Sequence, residues 1–152
     1  MSFRQKGMLA LIALAFAAIF LGIVVKQKKS NTSASRPTEA LEQFDGKLSI
    51  RAIDDLRVAG RKVLLCGAGF TKPRSMQAMA TEVARRDYQG RSVKCKPVGT
   101  GTPCDGNIAS KFGDALVVQC FMADGTDLAA KLIESGLLCG QPAQAGSAYR
   151  TC

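Results

Sequence analysis

Few side chains in this sequence could carry out chemistry, and none of them is an imidazole. The chain has 152 residues, with 21 Lys and Arg, 12 Asp and Glu, six Cys, no His and a formal net charge of +9. A Ser-His-Asp triad, a Cys-His pair and a His-ligated zinc site are therefore excluded. The carboxylate pair Asp54–Asp55 could serve acid–base chemistry or bind a hard cation, although two adjacent Asp residues are more typical of a turn.

The cysteines are the second group with possible chemistry. All six follow residue 60, at Cys66, Cys95, Cys104, Cys120, Cys139 and Cys152. An even number of cysteines in a small domain predicts a disulfide framework, which is typical of exported proteins. No Cys-x-x-Cys pair occurs, which argues against a zinc ribbon or a thioredoxin-type site. The alternative is a cytoplasmic domain with six buried or reactive thiols.

An uncharged apolar run near the N-terminus predicts a membrane segment. Residues 8–25 read MLALIALAFAAIFLGIVV, and as a helix they would span about 27 Å, close to the thickness of a bilayer core. A cleaved signal peptide is the alternative, because Ala15-Phe16-Ala17 has the small-x-small pattern of a cleavage site. The apolar run continues well beyond that point, so we predict an uncleaved anchor within residues 1–29.

Two signals for the orientation of this anchor disagree. The flanking basic residues, three after the apolar run and two before it, slightly favour a cytoplasmic C-terminal side. The cysteines favour an exported domain. We predict a single-pass membrane protein whose folded domain is periplasmic or otherwise extracytoplasmic.

The elements that must position these residues follow the hydrophobic pattern. Residues 30–43 are polar and small and predict a flexible tether, which leaves residues 44–152 as one folded domain. In the first predicted helix, Met76, Met79, Ala80 and Val83 share a face. Thr126 is the expected N-cap of the second helix, which ends at Gly136. Strands are predicted near 48–52, 56–58, 62–66, 92–98 and 115–122, with helices near 74–87 and 127–135.

This order of elements predicts an α+β, mainly β fold. Three short strands, a helix, two strands and a second helix are typical of a small five-stranded OB-type barrel, here with two or three helices after the N-terminal transmembrane helix.

Four stretches of the domain resemble the staphylococcal-nuclease (thermonuclease) family. Residues 50–56 (IRAIDDL) resemble A-I-D-G-D-T-V, and residues 63–69 (VLLCGAG) resemble V-R-L-x-G-I-D. Residues 111–118 (KFGDALVV) resemble D-K/R-Y-G-R and its following strand. Residues 124–138 match the D-G-x-D-L…G-L-A ending in both spacing and element order. The resemblance implies an OB-type barrel with a calcium-dependent nuclease site at one end.

Most of the family's catalytic residues are replaced in this chain. The resemblance places Asp55 at one calcium carboxylate, Gly69 at the other, Leu64 and Asp114 at the two arginines, and Lys72 at the glutamate. One carboxylate is a poor site for a hard cation, and Asp in place of Arg reverses the charge that phosphoryl transfer requires. The resemblance therefore implies a catalytically degenerate member without a cofactor.

A second match leaves open the alternative that this chain is an active nuclease. Residues 87–91 (DYQGR) also resemble D-x-Y-G-R and retain the arginine, at Arg91, although they follow a helix rather than a strand. On this alternative the chain is a calcium-dependent nuclease or phosphodiesterase acting on nucleic acid. Arg91 and Asp54 would then be catalytic and Asp55 would bind Ca²⁺.

The predicted barrel also suggests one disulfide pairing. Cys95 and Cys120 lie on the two strands that flank the glycine-rich loop, and these strands are neighbours in this fold. A Cys66–Cys139 and a Cys104–Cys152 bridge would use the remaining cysteines, as one of fifteen possible connectivities.

Charge is unevenly distributed along the chain. Residues 36–96 hold 13 basic and 7 acidic residues, whereas residues 97–152 hold 3 and 5. Such a surface could bind nucleic acid or anionic lipid, or could simply be solvated. Taken together, the sequence predicts a membrane-tethered, catalytically degenerate binding or assembly module of the cell envelope. Its partners would be the membrane, through the N-terminal helix, and envelope proteins.

Overall fold

The computed structural model describes residues 42–152, in which short strands dominate. The strands are β1 (Phe44–Ala52), β2 (Asp55–Val58), β3 (Arg61–Leu65), β4 (Ala68–Gly69), β5 (Ser92–Pro97), β6 (Lys111–Phe112), β7 (Ala115–Met122) and β8 (Cys139–Gly140). The helices are a 3-10 turn (Arg74–Met76), α1 (Gln77–Tyr88), α2 (Leu128–Glu134) and α3 (Pro142–Ala145). The predicted anchor and nearly all of the predicted tether lie outside the described residues. No helix within residues 42–152 is both long and apolar enough to cross a bilayer.

Five of these strands close into a barrel. Antiparallel ladders join β3 to β2, β2 to β1, β1 to β5 and β5 to β7, and a parallel pairing of β3 with β7 completes the ring. The short β6 forms a hairpin with the start of β7. A mainly β, five-stranded barrel with two or three helices was the expectation from the sequence, and this part of the prediction is confirmed.

Alternating side chains explain why these strands form a closed sheet. In β1, Leu48 and Ile50 are buried inside the barrel. The ladder registers align Ile50 with Leu56 of β2, and Leu56 with Val63 of β3, so that one apolar row runs across three strands. Because the side chains of a strand alternate between its two faces, the residues that lie between these buried positions along each strand point outward.

Helix α1 packs through small residues rather than through its methionines. Its buried residues are Ala80, Thr81, Ala84 and Tyr88, and Met79 is 59% exposed. The predicted helix is confirmed, but the predicted face is wrong at Met79. Ala80 and Ala84 allow a close approach to the barrel, and the Thr81 hydroxyl oxygen accepts a hydrogen bond from the Ile53 amide at 3.0 Å.

Helix α2 carries the apolar stripe expected from the sequence. Leu128, Ala129, Leu132 and Ile133 are all buried, which confirms the prediction. The N-cap is Asp127 rather than the predicted Thr126, because the Asp127 carboxylate accepts hydrogen bonds from two amides of the first turn. Asp and Thr are both favoured at N-caps, and of these two neighbouring residues it is Asp127 whose side chain caps the helix.

A smaller apolar group covers the outer face of β7. We call it the outer cluster, and it consists of Cys66, Val98, Cys104, Val117 and Ala145. The larger group inside the ring, the barrel core, contains Leu48, Ile50, Leu56, Val63, Leu132 and further buried residues. The outer cluster brings loop 98–110 and the C-terminal residues over the end of the barrel, where they complete a cavity.

Candidate functional site

A pocket with a volume of about 470 Å³ opens at this end of the barrel. It lies between the ends of β3 and β4, loop 98–110, the β6 hairpin and the C-terminal residues. Most of its walls are apolar, and its polar lining comes from Asp54, Gln141 and Gln144. The main apolar side chains are Leu56, Leu64, Phe70, Ile108, Phe112 and Leu138. A concave apolar site of this size with a few polar groups is typical of small-ligand pockets.

Two glycines allow the C-terminal residues to form one wall of the pocket. A Cβ atom at Gly69 would lie 2.2 Å from Nε2 of Gln141, so this carboxamide packs on the bare backbone of β4 and would have to move if a side chain were present there. A Cβ atom at Gly67 would lie 2.3 Å from the Cβ of Ala145. The Gly67 amide also donates to Oε1 of Gln144 at 3.3 Å. The two contacts of Gly67 hold the C-terminal residues close to the end of β3.

Loop 98–110 forms the opposite wall and is fixed at several points. A disulfide joins Cys104 to Cys66, just beyond the end of β3. Nδ2 of Asn107 donates to the backbone oxygen of Gln144 at 3.0 Å, which links the loop to α3. The wall is therefore held by covalent and polar contacts although it contains no regular secondary structure.

Asp105 organises the glycine-rich part of this loop. Its carboxylate accepts hydrogen bonds from the Thr102 hydroxyl at 2.6 Å and from the amides of Gly99 and Gly101, both at 2.7 Å. These three donors, with the Thr102 hydroxyl contributing most, lower the pKa of Asp105 to about 2. The charged form of Asp105 is thus part of the loop structure at neutral pH.

The structure brings together only some of the positions that the family resemblance singles out. Leu64 and Gly69 line the pocket, and Asp54 lies at its edge. Lys72 is not a lining residue, and its Nζ donates to the backbone oxygen of Gly136. Asp114 is also not a lining residue and pairs with Lys62 at 3.3 Å.

The acidic and basic residues of the nuclease alternative are each engaged elsewhere. Oδ1 of Asp54 accepts from Nε2 of Gln77 at 2.7 Å. Oδ1 of Asp55 lies 3.5 Å from Nε of Arg57 as an ion pair, in which neither buried atom has a hydrogen-bond partner. Nε of Arg91 donates to the backbone oxygen of Asp87 at 2.7 Å, and Arg91 does not line the pocket.

The donor set does not fit the calcium site that the resemblance would imply. Within residues 42–152, no three Cys, Asp or Glu side chains form a group that could hold a metal ion. Hard cations prefer several oxygen ligands from one place, and Asp55 faces an arginine instead. Leu64 and Gly69 add no oxygen from their side chains.

The three disulfides confirm one predicted pairing and correct two. Cys95 and Cys120 are bridged directly across β5 and β7, as predicted. The other bridges are Cys66–Cys104 and Cys139–Cys152, so the predicted Cys66–Cys139 and Cys104–Cys152 pairs are wrong. Three disulfides in one small domain indicate an oxidising, extracytoplasmic environment.

Backbone hydrogen bonds explain the corrected connectivity. The amides of Cys66 and Val98 bond to the adjacent residues Val118 and Val117 of β7, at 2.8 and 2.9 Å. Loop 98–110 therefore starts beside the end of β3, within reach of Cys66. The Gly140 amide donates to the Arg150 oxygen at 3.1 Å, which brings the C-terminus to β8.

Sequence reasoning missed the residues that give the pocket its character. Gln141 and Gln144 follow the last predicted element and belong to no motif. Phe112 is 76% exposed at the pocket, and the sequence marked it only as part of a family-like stretch. An aromatic side chain in the turn-like run Lys111-Phe112-Gly113 is the one signal that could have identified it.

No protein-family model, curated protein or solved structure matches this chain. The staphylococcal-nuclease likeness therefore stays a prediction based on the four stretches quoted above.

Proposed function

We propose that this chain is a membrane-tethered, non-catalytic relative of the staphylococcal nucleases that serves as a binding or assembly module in the cell envelope. Its folded domain is an OB-type barrel. In support, the ring order β3-β2-β1-β5-β7 with a parallel β3–β7 closure and α1 between β3 and β5 is the arrangement expected of an OB-type barrel. The predicted anchor and the three disulfides support a periplasmic or other extracytoplasmic location.

One observation carries the proposal. Two of the positions that the resemblance assigns to the family's site, Leu64 and Gly69, line the pocket, and no Lys or Arg is among the lining residues that belong to the described part of the chain. Leu64, which the resemblance places where the family has an arginine, is part of the apolar wall. Phosphodiester cleavage needs positive charge directed at the transition state, and an apolar wall cannot supply it.

The charged outer face of the barrel supports a ligand other than a polyanion. Two of its basic side chains are already paired, Arg57 with Asp55 and Lys62 with Asp114. A cation that is paired with a carboxylate adds less net charge to a surface that could attract a polyanion. Strong, salt-dependent retention of the domain on DNA would argue for that alternative.

A nuclease assay tests the proposal. The fragment comprising residues 30–152 contains every strand of the barrel and all three disulfides, so it retains the contacts described above. We expect no cleavage of DNA or RNA above background, whether Ca²⁺ or a chelator is present.

Two variants make that assay decisive. Asp55→Ala removes the carboxylate at the family's calcium position, and Asp45→Ala removes a carboxylate on β1 that does not line the pocket. Calcium-dependent cleavage that is lost in Asp55→Ala but kept in Asp45→Ala would overturn the proposal. Cleavage that both variants share with the parent overturns the proposal as well, unless a mock purification without the domain shows the same cleavage and so identifies a contaminating nuclease.

A further inference from the structure

We propose that the pocket binds an uncharged, mainly apolar ligand that carries one amide or carbonyl group. The inference rests on the proposed binding role and names the class of ligand. Apolar contacts come from Leu64 and Phe112, and the hydrogen bond comes from Gln141. This ligand is uncharged and mainly apolar, whereas the phosphate esters that the family resemblance would suggest are anionic and polar.

The charge in the pocket lining disfavours an anion. Among the lining residues within 42–152, Asp54 is the only charged one, and its Oδ1 already accepts a hydrogen bond from Gln77. A bound anion would lose its hydration in an apolar site and would meet a carboxylate instead of a cation. An unpaired charge in such a site is strongly unfavourable.

Gln141 provides a neutral hydrogen-bonding group that no residue within 42–152 uses. Its backbone bonds to Gly67 and to residues of α3, but its half-buried side chain has no hydrogen-bond partner among the described residues. The neighbouring carboxamide of Gln144 is occupied by the Gly67 amide. A carboxamide offers both a donor and an acceptor, which matches an amide or carbonyl group of a ligand.

The pocket walls are formed before any ligand arrives. The Cys66–Cys104 disulfide fixes loop 98–110, and Asn107 bonds to the backbone of Gln144. Gly69 allows Gln141 to rest directly on β4. A preformed site loses little conformational entropy on binding, so a small ligand can bind without first ordering the loop.

Phe112 supplies an exposed apolar edge to the pocket. Within residues 42–152 only Met79 and Phe112 are large, apolar and exposed, at 59% and 76%. Phe112 lines the pocket, whereas Met79 lies on α1 and does not. A ligand that leaves the pocket partly open would cover the Phe112 ring and remove it from water, which gives this exposed side chain a binding role.

The test uses the 30–152 fragment and an uncharged fluorescent probe, N-phenyl-1-naphthylamine. The probe should bind saturably with enhanced emission, and two compounds of equal shape should then compete with it. We expect 1-naphthamide, which is uncharged, to displace the probe at a concentration at least about tenfold lower than 1-naphthoate does, because only the anion meets Asp54 without a countercharge.

Three variants locate the site. Phe112→Ser should weaken probe binding about threefold to tenfold through lost apolar contact, whereas the matched control Met79→Ser should leave it unchanged. Gln141→Leu should weaken displacement by 1-naphthamide about threefold to tenfold while keeping probe binding, because the amide loses its hydrogen-bonding partner. Leu64→Arg places a cation in the wall and should reverse the order of the two competitors.

The inference is overturned if 1-naphthoate competes as well as 1-naphthamide, if the probe does not bind, or if Phe112→Ser behaves like Met79→Ser. Unchanged circular dichroism and thermal unfolding of the variants, whose substituted residues are exposed or half-buried, show that they remain folded. A failure here with no nuclease activity leaves the proposed function standing. Calcium-dependent cleavage that Asp55→Ala abolishes would remove the proposed function itself.

Discussion

The barrel core and the outer cluster are stabilised by different means. Counted over residues 42–152, the barrel core contains 20 buried residues and is enclosed by five strands and two helices. The outer cluster contains five buried residues, two of which are the bridged Cys66 and Cys104. Loop 98–110 and the C-terminal residues cover it without long helices or strands.

This difference explains why the pocket lies where it does. The barrel core fixes the backbone of β3 and β7 through packing, the strand ladders and the Cys95–Cys120 bridge between β5 and β7. The pocket is then built on that frame from loops, glycine contacts and a second disulfide. Binding sites are often made in this way, with variable loops on a rigid scaffold. The two regions should therefore respond differently to the same kind of damage.

The largest expected effect comes from the barrel core. Leu132 in α2 is 0% exposed, and Leu132→Ala should lower the free energy of unfolding by about 2–5 kcal/mol because it leaves a cavity. Ile108→Ala in the pocket wall should cost less than about 1 kcal/mol, since a residue at a loop surface can relax. Urea denaturation monitored by circular dichroism measures both. Equal losses would show that the two regions form one cooperative core.

The next largest effect tests the covalent support of the outer cluster. Replacing Cys66 and Cys104 together by Ser should cost about 2–4 kcal/mol. It should also weaken probe binding, because loop 98–110 is released. The barrel should keep its circular dichroism spectrum, since the core does not depend on this bridge.

The Cys139–Cys152 bridge is the matched control for that experiment. It spans a sequence separation of 13, compared with 38 for Cys66–Cys104. In the chain-entropy account the shorter loop contributes about 1 kcal/mol less. A larger loss from removal of the Cys139–Cys152 bridge would show that the C-terminal residues, rather than loop 98–110, hold the pocket together.

The same two regions differ in how far the sequence predicts them. The alternation at Leu48 and Ile50 and the stripe at Leu128, Ala129, Leu132 and Ile133 are local patterns, and the structure confirms them. The Cys95–Cys120 pair also followed from the order of the strands. These features depend on neighbours that the fold class already implies.

The outer cluster depends on contacts that no local pattern encodes. The pairing of Cys66 with Cys104 requires the path of an irregular loop, and the position of Gln141 requires the contact with Gly69. Helix α1 shows the same limit, because Met79 has an apolar side chain and is nevertheless exposed. Small residues decided which face packs, and their apolar signal is weak.

A smaller effect is expected at Asp127, which links the two regions. Its carboxylate caps α2 through the Ala129 amide at 2.8 Å and accepts from Gln119 and from the Tyr149 hydroxyl, both at 2.8 Å. Asp127→Ala should cost about 0.5–2 kcal/mol of unfolding free energy. Thr126→Ala, at the residue first expected to be the cap, should cost clearly less in the same urea titration.

Tyr149 gives a spectroscopic readout of the same contact. Burial, followed by the charge and hydrogen bond of Asp127, raises the pKa of Tyr149 above its ordinary value. Its contribution to stability is therefore complete below the ordinary tyrosine pKa and is lost as the pH rises above it. In a Tyr88→Phe background, Asp127→Asn should lower the Tyr149 pKa measured at 295 nm. An unchanged pKa would assign the whole shift to burial.

The smallest effect is expected on acidification. It compares the titration of two turn carboxylates, Asp105 in loop 98–110 and Asp124 before α2. The pKa of Asp105 in loop 98–110 is lowered to about 2. Its contribution to stability is present above the ordinary carboxyl pKa and is lost as the pH falls through about 2. The amide resonances of Gly99 and Gly101 should therefore titrate with that midpoint. Thr102→Val should raise the midpoint, because the Thr102 hydroxyl is the largest cause of the lowered Asp105 pKa.

Asp124 is the control for this experiment. It lies in the turn before α2, and its pKa is lowered chiefly by the Thr126 amide, so Thr102→Val should leave its titration unchanged. A midpoint for Gly99 and Gly101 at the ordinary carboxyl pKa would mean that Asp105 does not hold the loop. The Cys66–Cys104 disulfide and the Asn107 hydrogen bond would then fix that wall of the pocket.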